Sequence, residues 1–521
     1  MVQGPATGLK SLHALGLGAL AGGIHALAQA WPTTGQALGA LQVLSLAVLA
    51  GAWLRATHWR AAAWLGWAFA SAQGATGTWW LYISMHQYGG LASPLAALAV
   101  LVLAAALALY LALFLGLATA LSSPHAGRWR QALALGGAWL LAELARAQWF
   151  TGFPWVAAGY AHVDSALAVL APHVGVYGMG WVAALLGMGL ALAWGVRAAL
   201  MRGGAVVMAL ATLIALGQPW RAPDSTQAVA TVPLTLLQGN VPQDEKYGAQ
   251  RESAMAWYVV QIQHAPTGLV LAPEIAITYP TRAWPEAWWQ ALAPQGSDRA
   301  LMLGAPWQDR DGLANSVLAW AGRDTPAAGG RHDYRYDKHH LVPFGEFIPP
   351  GFGWFVRALN IPMGEFARGP VPQPTWAWGG LNWAPNICYE DLFGEELAQA
   401  LVGDAPPHVM VNFSNIAWFG DTVAQAQHLN ISRLRTLELQ RPMVRVTNTG
   451  VSAVIDHRGV VQSRLPNWTR EVLHTRVTGR EGPPTLYARW VSRWGLWPLW
   501  AWGLMGLLLP ALPWGQRRSR R

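Results

Sequence analysis

"WAPNICYED", residues 383–391, opens like a buried strand and closes on polar, reactive side chains. A short apolar run that breaks into Cys388, Glu390 and Asp391 reads as a strand whose C-terminal end carries chemistry. Cys388 is also the only cysteine among 521 residues. A lone thiol forms no intrachain disulfide, so it is either a small buried hydrophobe or a reactive group. The surrounding sequence decides between the two.

Runs of the same kind recur from about residue 228 to 480: "VPLTLLQ", "GLVLAPE", "ALMLGAP", "SVLAWA", "HVMVNFSN", "PMVRVTNTG" and "VSAVIDHRG". Their lengths and β-branched content predict strands, bounded by Pro, Gly, Asn and Asp. "QRESAMAWYVVQIQHA" and "AQAQHLNISRLRTLELQ" read as helices, the second with Arg433, Arg435 and Glu438 on a mixed face. Strands and helices interleaved over this length predict one layered α/β domain. No Gly-rich phosphate loop occurs, and His339–His340 has no further ligands at metal spacing. Neither a metal nor another cofactor is expected.

The rest of the chain has a different composition. Charged residues make up 12% of the whole, hydrophobic residues 53%, and the mean hydropathy is +0.24, which points to a membrane protein. Residues 221–488 hold 21 Lys/Arg and 24 Asp/Glu, whereas the remainder holds 14 basic residues and only Glu143 and Asp164. The excess of positive charge therefore belongs to the apolar part and offers no nucleic-acid patch. Apolar stretches near 11–31, 36–54, 61–84, 94–120, 130–148, 174–195, 203–219 and 492–512 each approach the ~20 residues that span a bilayer. The first is too long, and too closely followed by another, for a cleaved signal peptide.

Lys10, Arg55, Arg60, Arg128, Arg130, Arg197, Arg202 and the terminal "QRRSRR" fall on one side of these spans; "WPTTGQ" and "HQYGGLASP", on the other, have no Lys or Arg. The positive-inside rule makes the first side cytoplasmic. Residues 1–220 then form seven transmembrane helices, residues 221–488 lie on the outer face, and residues 489–521 form the eighth helix and a basic cytoplasmic tail. Glu143 and Arg146, three apart on one span, read as a structural ion pair, since intramembrane charges are costly and usually paired. Many of the 32 Trp lie near span ends, as interface anchors do.

Two further strand ends resemble that of Cys388. "LAPEIAITYP" places Glu274 after an apolar strand, and "YDKHHLVPFGEFIP" carries Lys338 with Glu346 eight residues on. Taken singly, these are a strand-end cap and a solvated cation. Together with Cys388 they resemble the Glu–Lys–Cys set of the nitrilase superfamily, in that chain order. The resemblance is closer still to the apolipoprotein N-acyltransferase family of Gram-negative bacteria, its membrane-embedded branch. "WLYISMHQYGG", "GFPWVAAGY", "LLQGNVPQ", "APE", "DKHHLVPFGEFIP", "NICYED", "NFSNIAWFGD" and "RPMVRVTNTG" carry it along almost the whole chain. One departure is Tyr247, where the family tends to have Trp.

The residues permit a definite chemistry. A thiol with an ordinary pKa near 8.5 needs help to react at neutral pH. Glu274 can take its proton and later return one to a leaving group, and Lys338 can stabilise the thiolate and an oxyanion. Glu346 can hold Lys338, and the backbone N–H after Cys388 can complete an oxyanion hole. The resemblance implies an α-helical membrane bundle of about eight spans plus a nitrilase-like α-β-β-α sandwich. It also implies supporting roles for Tyr389 and Glu390. The implied reaction moves a fatty acyl chain from a membrane phospholipid, through a Cys388 thioester, to the α-amino group of a diacylated apolipoprotein. The implied setting is the inner membrane, with a monomer whose catalytic domain faces the periplasm. Trp418 and Phe419 are candidates for acyl-chain contact, or ordinary core aromatics. A membrane-tethered amidase or nitrilase would carry the same three residues, although a soluble substrate needs no seven-span platform. A transporter needs more intramembrane charge than these spans hold.

Overall fold

Strand β7 (Leu381–Ile387), which delivers Cys388, lies inside a six-stranded sheet ordered β11-β10-β9-β8-β7-β6. The other strands of that sheet are β6 (Trp376–Trp378), β8 (Val409–Ser414), β9 (Met443–Thr447), β10 (Ala453–Ile455) and β11 (Val461–Arg464). A second six-stranded sheet runs β12-β1-β2-β3-β4-β5. It contains β1 (Gln227–Gln238), β2 (Gly268–Ala272), β3 (Arg299–Asp309), β4 (Gly312–Ala321), β5 (Tyr334–Asp337) and β12 (Glu471–Glu481). This is a computed structural model, and it describes residues 5–122, 127–194, 221–310, 312–322, 332–353 and 365–512. The expected span 203–219, Arg197, Arg202 and the tail "QRRSRR" lie outside the described residues.

The two sheets pack face to face. Leu234, Leu236, Leu269, Leu271 and Met302 of one sheet meet Trp383, Ile387, Val411, Phe413 and Val444 of the other in one apolar cluster. Each such fully buried aliphatic side chain contributes roughly 1.5–3 kcal/mol. The outer face of the first sheet is covered by the helices Arg251–His264 and Glu286–Leu292, through Met255, Tyr258, Trp289 and Leu292. The helix Ala424–Leu439 adjoins the second sheet, with Leu429 against Val451, Ala453 and Ile455. Helix, sheet, sheet and helix give a nitrilase-like sandwich. Apolar runs located eight of the strands; β5, β6, β11 and β12 lie in segments too short or too polar for that reading.

The chain divides into two compact units. One comprises residues 80–93 and 223–493, and the other residues 1–79, 94–222 and 494–521. In the latter, helices Pro5–Leu27, Gly39–Trp53, Trp59–Gly77, Ser93–Leu121, Arg128–Gln148, Ala171–Trp194 and Trp497–Leu508 occupy positions of expected spans. The stretches 93–121 and 166–193 are long and apolar enough to cross a membrane, whereas Leu12–Leu27 and Gly39–Trp53 are apolar but shorter. The stretch 492–512 is not one helix: Leu486–Trp494 and Trp497–Leu508 are separated at Gly495, whose φ of +57° no right-handed helix accommodates, and Gly175, at +66°, kinks Ala171–Trp194 likewise.

Small residues bring these helices close together, as they do in membrane bundles. A Cβ on Gly137 would fall 2.6 Å from the Gly503 carbonyl oxygen. The predicted Glu143–Arg146 pair is present at 3.4 Å, and Glu143 also accepts the Ala158 N–H at 2.7 Å.

Candidate active site

Three strand ends supply the predicted triad. Glu274 follows β2 and Pro273, Lys338 follows β5, and Cys388 follows β7. The approach is tight at β3, where a Cβ on Gly304 would lie 2.6 Å from the Pro273 oxygen and 2.7 Å from the Glu274 Cα. Lys338 is 1% exposed, and its Nζ donates to Glu346 at 2.9 Å and to Glu274 at 3.4 Å. Asn315, from the middle of β4, donates its amide to both carboxylates at 2.8 Å. The Asn415 N–H reaches the other Glu274 oxygen at 2.7 Å, and the Val342 N–H the other Glu346 oxygen at 2.9 Å. Two buried carboxylates are thus bridged by one ammonium and one amide.

Burial works against the charge on Lys338, but Glu346 and then Glu274 overcome it and hold the ammonium well above its ordinary value. Cys388 is half-buried. Burial pushes its thiol well up, Glu274 adds to the rise, and Lys338 opposes it. A thiol held up in this way reacts at neutral pH only with a general base to take its proton. Cys388 also has a φ of +53°, a left-handed conformation that costs a non-glycine residue about 1–3 kcal/mol and clusters at functional sites.

Glu390 ties the strand ends to each other. Its carboxylate accepts the Ile387 N–H at 2.6 Å, the His339 N–H at 2.7 Å, the His340 N–H at 3.1 Å and the Tyr336 hydroxyl at 2.9 Å. Burial raises it to about 7 against those backbone donors and Lys338. Tyr389 is buried, edge-on to Phe393 at 5.3 Å. Trp418 is 41% exposed, while Phe419 packs on Trp80 at 4.2 Å. Trp80 and Tyr88 belong to the segment 80–93 of the same unit; Trp80 donates to Gln427 at 3.0 Å, and Tyr88 meets Trp418 edge-on at 5.7 Å.

Several site residues escaped the sequence reading. Lys246, 5% exposed, donates to the Glu274 carbonyl oxygen at 3.1 Å; burial lowers it to about 8, although Glu274 and Cys388 favour its charge. Its signal was present in "QGNVPQDEK", beside the aromatic Tyr247, which is 53% exposed. Asn315 and Asn415 were visible only as polar residues inside or just after apolar strands. Arg433 donates to the Gly459 carbonyl oxygen at 2.8 Å, while Arg435 and Glu438 are fully buried and paired at 3.0 Å, so the polar side of that helix faces protein.

Known proteins match the chain in two parts. Residues 21–189 match the family described as apolipoprotein N-acyltransferase N-terminal domain, and residues 234–481 match carbon-nitrogen hydrolase. The chain is 48% identical over 513 residues to the apolipoprotein N-acyltransferase of Verminephrobacter eiseniae, covering 92% of both. It is 42% identical over 457 residues to that of Ralstonia nicotianae, covering 85% of this chain and 84% of the relative. For Bordetella bronchiseptica the identity is 40% over 543 residues, with 96% and 97% covered.

Proposed function

The chain belongs to the apolipoprotein N-acyltransferase family, and on that premise we propose that Cys388 carries a fatty acyl group between two lipid-anchored substrates. The donor is a membrane phospholipid, and the acceptor is the α-amino group of the S-diacylglyceryl cysteine that begins an apolipoprotein. Glu274 takes the thiol proton as sulfur attacks the ester carbonyl. Lys338 and the N–H of Tyr389 stabilise the resulting oxyanion. The intermediate collapses, Glu274 returns the proton to the departing glycerol oxygen, and a lysophospholipid leaves a Cys388 thioester. The amine then attacks the thioester and gives up its proton to Glu274. Cys388 departs as a thiolate and recovers that proton, leaving an amide.

Glu346 and Glu390 hold the cation and the strand ends, and Tyr389 packs behind them. Trp418 and Phe419 face the acyl chain. The observation that carries this reading is the Lys338 ammonium suspended between Glu274 and Glu346 at strand ends shared with a strained Cys388. Residues 1–220 and 489–521 make an eight-span platform in the inner membrane of a Gram-negative cell. Residues 221–488 face the periplasm, and the enzyme works as a monomer. The lopsided distribution of Lys and Arg supports this orientation.

The test is intact mass measurement of the full-length protein in detergent after incubation with a diacyl phospholipid. The expected result is one fatty-acyl adduct, mapped to Cys388 and absent from Cys388→Ala. No adduct, or one that persists in Cys388→Ala, overturns the assignment.

A further inference from the structure

Behind the nucleophile lies a buried polar network that the reaction above does not use. The Cys388 carbonyl oxygen accepts two hydrogen bonds, from Asn412 Nδ2 at 3.2 Å and from His428 Nε2 at 3.3 Å. The Asn412 amide is itself fixed: it donates to Asn386 Oδ1 at 2.6 Å and accepts from Ser414 at 2.5 Å. Arg445 Nη2 lies 3.1 Å from His428 Nδ1. A guanidinium only donates, so Nδ1 carries the lone pair and Nε2 the proton. That proton is shared between the Cys388 oxygen and Asp391 Oδ1, which is 2.9 Å away. Asp391 in turn pairs with Arg445 at 3.2 Å and accepts from Ser432, which also bonds Arg445. Asn412, His428, Asp391, Ser432 and Arg445 are each no more than 1% exposed.

We propose that Asn412 and His428, the latter locked by Asp391 and Arg445, are positioning residues that aim the Cys388–Tyr389 peptide for catalysis. The peptide unit is planar, so the carbonyl oxygen of Cys388 and the N–H of Tyr389 point in opposite directions. Donors that hold the oxygen toward the network therefore direct the N–H away from it, and they keep Cys388 in its left-handed conformation. The network ends on the backbone of the nucleophile itself. The inference rests on Cys388 being the acylated residue.

The test compares the rate of Cys388 acylation by a diacyl phospholipid in full-length wild type, His428→Phe and His428→Gln. Gln keeps an N–H donor near Nε2, and Phe does not. Displaced reacting groups lose roughly tenfold to a hundredfold in rate. His428→Phe should show that loss at saturating lipid with unchanged half-saturation, and His428→Gln should recover most of it. Where His428→Phe does not accumulate as folded protein, Asn412→Leu removes the other donor and should slow acylation alike. A folded His428→Phe or Asn412→Leu that acylates at the wild-type rate, or a His428→Gln as slow as His428→Phe, overturns the proposal. An unacylated wild type would instead remove the nucleophile assignment on which it rests.

Discussion

Glu274 is asked both to raise the Cys388 pKa at rest and to remove its proton during reaction, and the two roles predict opposite effects of one substitution. After burial, the Glu274 charge is the largest influence holding the thiol up, and Lys338 pulls the other way. Glu274→Gln should therefore lower the thiol pKa and speed alkylation by iodoacetamide at neutral pH. Acylation by phospholipid should fall by about 10²–10⁴, the usual contribution of general acid–base catalysis. Slower alkylation by the variant would contradict the electrostatics, and undiminished acylation the base. Lys338 is enclosed, with one ammonium reaching two carboxylates. A guanidinium is wider and presents a fixed fork. Lys338→Arg should thus lose roughly a hundred- to thousandfold in acylation rate while remaining folded; a near-wild-type rate would reduce Lys338 to a general positive field. Glu274 and Cys388 were legible because each breaks an apolar run at a strand end, and Lys338 and Glu346 because "DKHHLVPFGEFIP" carries the family resemblance. Lys246 and His428 were not, because each is tied to a site residue through a backbone oxygen, which no side-chain spacing reveals.

Among the elements, the turn Ile416–Phe419 after β8 shows how local geometry serves the site. Asn415, just before it, caps Glu274, and Gly420, just after it, has a φ of +64°. A Cβ at Gly420 would meet Ile83 Cδ1 at 2.8 Å, in the segment that also supplies Trp80 to Phe419. Gly420→Ala should therefore strain the turn by about 1–3 kcal/mol. It should speed limited proteolysis within 416–423 and raise the lipid concentration needed for half-maximal acylation. Unchanged cleavage and unchanged half-saturation would show that the turn tolerates the methyl group. Strands with apolar runs could be read directly from sequence. Residues 80–84 read as the end of a membrane span and 86–94 as an outer loop, and the grouping of 80–93 with the catalytic residues depends on long-range packing that periodicity does not encode.

For the whole molecule, composition already separated an apolar part from a polar domain, because lipid-facing helices exclude charge while an α/β surface needs it. It could not reveal that the last apolar stretch breaks at Gly495, since a single glycine barely changes mean hydropathy. The proposed orientation predicts that a membrane-impermeant label reaches cysteines introduced at exposed positions of 221–488 only from the periplasm, and in 516–521 only from the cytoplasm. The reverse pattern would invert the topology. The central claim is that Cys388 carries the acyl chain between two lipid substrates, and a chase tests it most directly. Full-length enzyme is loaded from a phospholipid labelled in its acyl chains, freed of excess lipid, and mixed with an S-diacylglyceryl peptide bearing a free α-amino group. The account predicts that the label leaves Cys388 and appears as an amide on the peptide amine, at a rate no slower than overall turnover. Label released as free fatty acid, or peptide acylated while the Cys388 adduct persists, would contradict it.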